Sequence, residues 1–362
     1  MLDLPAYQTV AWLGFGAGLA FGAIAQRTNF CTMGAISDIL YMGNYVRLRM
    51  WLLAMAVAIA GSQALAGVGL VDLGGSIYLT PSLGWLGAIA GGLLFGFGMT
   101  IAGGCGNRNL VRFGAGNLKS LVVLLVIGLF AYMTLRGLTG ALRAAAIEPA
   151  ALDLRRFGLD TQAVSGMVAA AGLPSAVAGI AAVAGLLAYC FSSAEFRARP
   201  AAIAGGIGIG ALVVAGWAIT GIAGNDDFEP VPVASFTFIG PTGEALVYAM
   251  TWTGAKINFG IASVLGVISG AFLAAKMSGE FRVEAFTDVA DMKRNLAGAA
   301  LMGIGGVTAM GCTIGQGLTG VSTLAAGSII AVLAICAGGY VGLKYLEEGS
   351  FAGALRAIAG RA

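Results

Sequence analysis

Long apolar stretches, separated by a few polar residues each, follow one another along almost the whole chain. They predict helices over residues 9–26, 50–70, 84–103, 119–140, 162–190, 201–222, 243–275, 295–311 and 323–343. Most approach the ~20 residues that a helix needs to cross roughly 30 Å of hydrocarbon. The stretch 162–190 reads as one helix or as two broken near Pro174, and 243–275 is too long for a single crossing. Residues 84–117 and 295–322 hold so many glycines that half-helices or re-entrant segments are expected there.

Composition turns the pattern into a class. Of 362 residues, 58% are hydrophobic and only 10% are charged, against about 25% charged in soluble domains. So few charges cannot coat a water-exposed surface. The expectation is an all-α, polytopic transmembrane helical bundle, one integral membrane domain over 1–362. It should have about nine spans plus short re-entrant half-helices meeting at a central constriction.

The first residues are as apolar as a signal peptide but carry Asp3 in place of a basic start. They read as a retained first span with its N-terminus outside. The net charge of +3 resides in loops, where it bears on topology and gives no sign of nucleic-acid binding. Arg47, Arg49, Arg108, Arg112, Lys119, Arg197, Arg199, Lys293 and Arg294 should face the cytoplasm. So should the tail 346–362, with Arg356 and Arg361, which makes the C-terminus cytoplasmic. The loop GNDDFEPVPVASFTFIGPTGE has four carboxylates and no base, so it suits the outer face. The segment 143–161 mixes both signs and has no assigned side.

One glycine-rich run is written twice. Residues 90–105, AGGLLFGFGMTIAGGC, and 297–312, AGAALMGIGGVTAMGC, agree at eight of sixteen positions. The matches include Gly96 with Gly303, Gly98 with Gly305, Ala102 with Ala309, Gly104 with Gly311 and Cys105 with Cys312. A weaker echo links 22–38 with 270–288. A first repeat over 9–140 and a second over 236–345 follow, with intervening helices at 141–235. Whether the repeats are parallel or inverted stays open.

Glycines let helices approach closely and break without side-chain clash. Such breaks are tolerated at membrane depth only where protein or a wet cavity surrounds them. A helix restarting after a break points free N–H groups and a positive dipole end inward, which favours an anion. After Cys105 and Cys312 the chain supplies Asn107, Asn109 and Gln316. A thiol is a weak, polarizable, uncharged donor. It can touch a soft anion without holding it as tightly as an arginine would, and conduction needs weak successive sites.

Cys31, in QRTNFCTMG, is a third candidate or a packing residue. Arg27 beside it either holds positive potential at a pore mouth or extends to the interface. Cys190 and Cys336 lack glycine punctuation and read as packing. Lys256 is either an intramembrane functional charge or an interfacial lysine at a helix break. Asp38 either ends a short helix or couples protons. With no histidine in the chain, a histidine-based metal site or proton relay is excluded. No glycine run ends in the GK[ST] of a nucleotide-binding loop.

The combination RTNFCTMGAISD, GFGMTIAGGCGNRNLVRFGAGN and MGIGGVTAMGCTIGQGLTG resembles the YeeE/YedE family of sulfur-transport membrane proteins. The resemblance implies an hourglass-shaped two-repeat bundle in the bacterial inner membrane. It implies thiosulfate uptake without a cofactor or metal, by substrate passing between thiols at Cys31, Cys105 and Cys312. Gly104, Gly311, Asn107, Gln316 and Arg27 are the accompanying site candidates, with Cys31 near the entrance. Implied partners are thiosulfate, membrane lipids and a cytoplasmic sulfur carrier of the TusA type. Alternatives are transport of another sulfur or selenium species, or a membrane-embedded sulfurtransferase with a persulfide-forming cysteine.

Overall fold

The computed structural model describes residues 5–170, 172–226 and 229–360. Asp3, Asp227 and Arg361, used above to orient the chain, lie outside the described residues. Helix α1 (Ala6–Thr28) breaks into α2 (Thr32–Met42) and α3 (Val46–Gly67). The same long, short, long order recurs in α4 (Trp85–Ile101), α5 (Gly106–Gly114) and α6 (Leu118–Arg136). Four helices bridge the middle: α7 (Leu138–Ala146), α8 (Val164–Ala170), α9 (Ala176–Phe191) and α10 (Ala194–Arg197). Then come α11 (Pro200–Ala218), α12 (Ile239–Met250), α13 (Phe259–Met277), α14 (Val289–Thr308), α15 (Ala326–Glu348) and α16 (Phe351–Ile358). Side-chain oxygens cap several starts: Asn117 for α6, Asn258 for α13 and Asp288 for α14. Among the described residues the bundle is all-α apart from one small antiparallel pair, β1 (Ser82–Leu83) with β2 (Leu152–Asp153).

Among the described residues, seven helices are long and apolar enough to cross a membrane, fewer than the nine apolar stretches. Two stretches, 162–190 and 295–311, account for the difference, and a third, 243–275, contributes one span only. Residues 162–190 divide around Pro174 into the short α8 and a 16-residue α9. Residues 243–275 divide into α12 and α13, with Asn258 capping the restart. The stretch 295–311 belongs to α14, whose first turns carry Asp291, Lys293 and Arg294. The mixed-charge segment also finds its place. Trp85 Nε1 donates to the Ala150 carbonyl at 2.8 Å, and the Leu154 amide to Pro81 at 3.0 Å. That segment therefore lies over the N-terminal end of α4.

The acidic loop is not wholly a surface loop. Its second half enters the core, where Phe236 and Phe238 are fully buried and stack with Phe21 and Phe259. Thr319 Oγ1 donates to the Phe236 carbonyl at 2.6 Å. The aromatic residues of this stretch, alternating as FTF, carried the signal for burial.

The duplicated glycine runs meet each other. A Cβ on Gly98 would stand 2.7 Å from the Gly298 oxygen, and one on Gly298 would stand 2.6 Å from the Gly98 oxygen. Gly91 and Gly305 repeat the pattern at 2.7 and 2.6 Å. In the aligned runs Gly91 corresponds to Gly298 and Gly98 to Gly305, so each contact maps onto the other by a local twofold. Because 91 meets 305 while 98 meets 298, α4 and α14 run antiparallel, and these two copies are inverted. Their outer neighbours follow suit: Gly96 presses on the α15 backbone at Ile335, and Gly303 on the α6 backbone at Ile127. The weaker echo is reciprocal too. Gly22 closes on Val267 and Gly270 on Leu19, here between the parallel helices α1 and α13.

Gly98→Ala and Gly298→Ala each force a methyl into a backbone carbonyl. Each should lower stability by about 1–3 kcal/mol, read as a lower thermal midpoint of the detergent-purified protein. Gly16→Ala, on α1 with nothing within 4 Å of the new methyl, should leave the midpoint unchanged or raised.

Candidate functional site

Three helices stop in the same way. The last residue of each break adopts a left-handed backbone: Asn29 (φ 52°) after α1, Gly103 (φ 71°) after α4 and Met310 (φ 57°) after α14. The next amide then reaches back five residues. Phe30 donates to Ala25 at 3.2 Å, Gly104 to Met99 at 2.8 Å and Gly311 to Gly306 at 2.7 Å. These bonds satisfy carbonyls that a helix end leaves open. Glycine and asparagine enter the left-handed region cheaply, whereas Met310 does so at a cost of about 1 kcal/mol.

A cysteine comes next each time. Cys31, Cys105 and Cys312 accept the first bond of the following turn through their carbonyls, from Ala35 at 3.0 Å, Asn109 at 3.0 Å and Gln316 at 2.8 Å. The thiol itself acts as helix cap at two of them. Gly34 N–H donates to Cys31 Sγ and Gly315 N–H to Cys312 Sγ, both at 3.4 Å. At Cys105 the corresponding Arg108 amide lies beside the sulfur without forming a well-aligned cap. A sulfur whose lone pair faces an amide keeps its S–H free to donate elsewhere.

The two repeats differ by one residue after the break. Cys105 precedes the N-cap of α6, Asn117, by twelve positions, and Cys312 precedes that of α15, Ala325, by thirteen. The extra residue is absorbed in a π-helical turn at Gly315–Gly320. The turns then realign, with Gly116 and Leu324 both left-handed.

These three breaks converge. Cys31, Cys105 and Cys312 are 7%, 1% and 0% exposed. Cys31 and Cys105 interact through their side chains, and Thr313 stands against Cys105. Cys31 therefore belongs to the narrowing itself and does not sit apart at an entrance. A cavity of about 600 Å³ lies on one side, lined by the α4 end (Thr100–Gly103) with Arg108, Asn109 and Arg112. A second, of about 340 Å³, is lined by the α14 end (Thr308–Met310), Gln316, Tyr78 and Arg143. Gly84 and Gly87, at the start of α4, also line the second. The two cavities thus open at opposite ends of a 17-residue helix, about 25 Å apart at 1.5 Å per residue.

The remaining candidates separate clearly. Gly104 and Gly311 are the residues between the left-handed turn and the cysteine. Asn107 and Gln316 are buried, but their amide nitrogens donate to the Phe30 and Ala309 carbonyls. Asn107 Oδ1 and Gln316 Oε1 are left buried without partners. As placed, these oxygens could only accept hydrogen bonds and have none to offer an oxyanion. The repeat counterpart of Gln316 is Asn109, whose amide bridges the Gly104 and Cys105 carbonyls at 3.0 and 3.1 Å.

Arg27 is exposed and lines neither cavity. Two half-buried cations lie near the thiols, Arg108 within electrostatic reach of both Cys31 and Cys105, and Arg112 within reach of Cys31. Lys256 lies at the surface, paired with Glu229 at 3.0 Å and set over the Tyr7 ring. Asp38 pairs with Arg47 at 3.2 Å. Cys190 donates to the Arg49 carbonyl at 3.3 Å and packs. The sequence singled out Arg108 as a base near Cys105 and Cys31 as a third candidate, but not the break geometry that Cys31 shares with the other two. A signal was available at two of the three, a turn-forming residue two places before the cysteine in NFC and GGC; in MGC the corresponding Met310 gives none.

A capping thiol can be separated from a conducting one. Cys312→Ser keeps an acceptor and should hold the thermal midpoint, whereas Cys312→Val loses it and should cost about 1 kcal/mol. Equal midpoints for the two variants would remove the capping role.

Residues 27–341 match a family model described as sulphur transport. A thiosulfate transporter, TsuA, of Escherichia coli K12 is 28% identical over 333 residues, covering 84% of this chain and 86% of the relative. The TsuA of Spirochaeta thermophila is 27% identical over 329 residues, covering 85% and 90%. A probable transporter, YedE, of Salmonella typhimurium is 36% identical over 93 residues, covering 24% and 20%. With three thiols set at helix breaks between opposed cavities and a family match spanning most of its length, the chain belongs to the sulphur-transport family.

Proposed function

We propose that this membrane protein carries thiosulfate into the cell, passing it between the thiols of Cys31, Cys105 and Cys312. The observation that carries the reading is the threefold repetition of one break geometry, each ending in a buried cysteine at the same narrowing. Names of the relatives supply the substrate. The thiols supply a physical reason for it, since a terminal sulfur is soft and polarizable like the groups that would receive it.

The cavity with Arg108, Arg112, Lys119, Arg282 and Arg294 is the cytoplasmic one by the distribution of basic residues. The cavity beneath the 143–161 segment is then the outer one, and Cys312 is met first. Cys105 and Cys31 follow, with the Arg108 charge drawing the anion onward. Arg108 corresponds in the repeat to Gly315, so the pull is one-sided. A dianion entering a negative-inside cell climbs about 2.3 kcal/mol per charge per 100 mV. Consumption inside, for which a sulfur carrier of the TusA type is suited, offsets that climb. The protein lies in the bacterial inner membrane in this scheme, with its C-terminus cytoplasmic.

Uptake of labelled thiosulfate by cells lacking their own sulfate and thiosulfate importers tests the relay. Cys105→Ala and Cys312→Ala should each reduce uptake to background at normal membrane abundance. Near wild-type uptake by either contradicts the scheme. Competition with unlabelled sulfite or selenite distinguishes thiosulfate from other sulfur and selenium species.

A further inference from the structure

Two of the three cysteines are followed directly by threonine: Cys31–Thr32 and Cys312–Thr313. Both threonines are buried, at 6% and 2% exposure; the Thr32 hydroxyl has no hydrogen-bond partner, and that of Thr313 has no oxygen or nitrogen partner, only the weakly accepting Cys105 sulfur beside it. That is unusual for this residue type inside a membrane helix, where the hydroxyl commonly turns back to a carbonyl one turn earlier. Thr28, Thr134, Thr242 and Thr308 of this chain all do so. Thr32 and Thr313 have no such carbonyl, because each is the first residue of a restarted helix. Leaving a buried hydroxyl with no partner, or with only a thiol, is costly, so the arrangement points to a ligand that completes it.

The location narrows the ligand. Thr313 faces the Cys105 thiol from the other repeat, so its hydroxyl stands where Cys31, Cys105 and Cys312 converge. Around it the unpartnered amide atoms of Asn107 and Gln316 are acceptors. Hydrogen-bond donors for an anion's oxygens must therefore come from elsewhere in the narrowing. Hydroxyls meet that need without a fixed charge, which keeps the site weak enough to release.

We infer that Thr313 and Thr32 read the oxygen-bearing end of the transported anion while the adjacent thiols meet its terminal sulfur. Each Cys–Thr pair is then a two-point reader for an ion with one soft sulfur and an oxyanion head. The assignment rests on the thiosulfate reading above and adds what distinguishes such an ion from hydrosulfide, which has no oxygens to bond.

The test is thiosulfate uptake kinetics with Thr313→Val, Thr313→Ser and Thr32→Val, together with thermal unfolding of each purified protein. Valine matches threonine in shape and lacks the hydroxyl. Thr313→Val should raise KM about tenfold or more while the thermal midpoint stays level or rises, since an unbonded buried hydroxyl has been removed. Thr313→Ser restores the donor and should recover most of the lost affinity. An unchanged KM in Thr313→Val overturns the assignment, as does equal impairment of the valine and serine variants, which would mark a packing role. Should Thr313→Val fail to accumulate, Thr32→Val makes the same test at the other pair, with the same two outcomes. Absence of uptake by the wild type overturns the thiosulfate reading itself, whereas normal wild-type uptake with an indifferent valine variant overturns only this assignment.

Discussion

A helix interrupted inside a bilayer must find partners for the backbone groups that its own turns no longer satisfy. This protein meets that requirement three times with one device. A left-handed residue ends the helix, an amide reaches back to close the open carbonyls, and a cysteine stands at the restart, its sulfur capping the new helix at Cys31 and Cys312. Because structural satisfaction and chemical exposure fall on the same residue, the thiol is fixed in place by the fold and still has its proton to offer. A conduit made of uncharged groups needs that fixity, as it has no ionic attraction to hold a ligand in register.

The second constraint is how close two backbones can come. Glycines 91, 98, 298 and 305 bring α4 and α14 together antiparallel, backbone against backbone. Inversion of the two copies then sends their C-terminal ends to opposite sides of the bundle. The α4 end lines one cavity and the α14 end lines the other, with the cysteine layer between. Duplication with inversion thus produces a two-sided passage from one sequence pattern. The two copies depart from the symmetry at the site: Arg108 stands where the other copy has Gly315, and among the described residues a π-helical turn follows Cys312 and not Cys105.

Much of this was legible in residue order. Apolar runs and scarce charges specify a membrane bundle, and the doubled glycine run with its terminal cysteine marks the paired breaks. Cys31 was harder to place because Asn29 does the work of Gly103, and no alignment of glycines reveals that equivalence. Ring-bearing residues near acidic ones misled in the other direction, since Phe236 and Phe238 follow a stretch rich in carboxylates yet end in the core. Amide orientation is invisible in sequence. Asn107 and Gln316 have the composition of anion ligands, but their donors are already committed to carbonyls. Arg27 and Arg108 both neighbour a cysteine in sequence, and only three-dimensional packing shows that the second one faces the passage.

The central claim is that the soft end of the anion rests against the converging thiols. Selenosulfate, which carries selenium in place of the terminal sulfur of thiosulfate, reports that position directly through anomalous scattering from a soaked crystal. A selenium peak in contact with the sulfur of Cys105 or Cys312 is the expected result. A peak confined to the arginine-lined cavities, or selenium directed away from all three cysteines, would contradict the account.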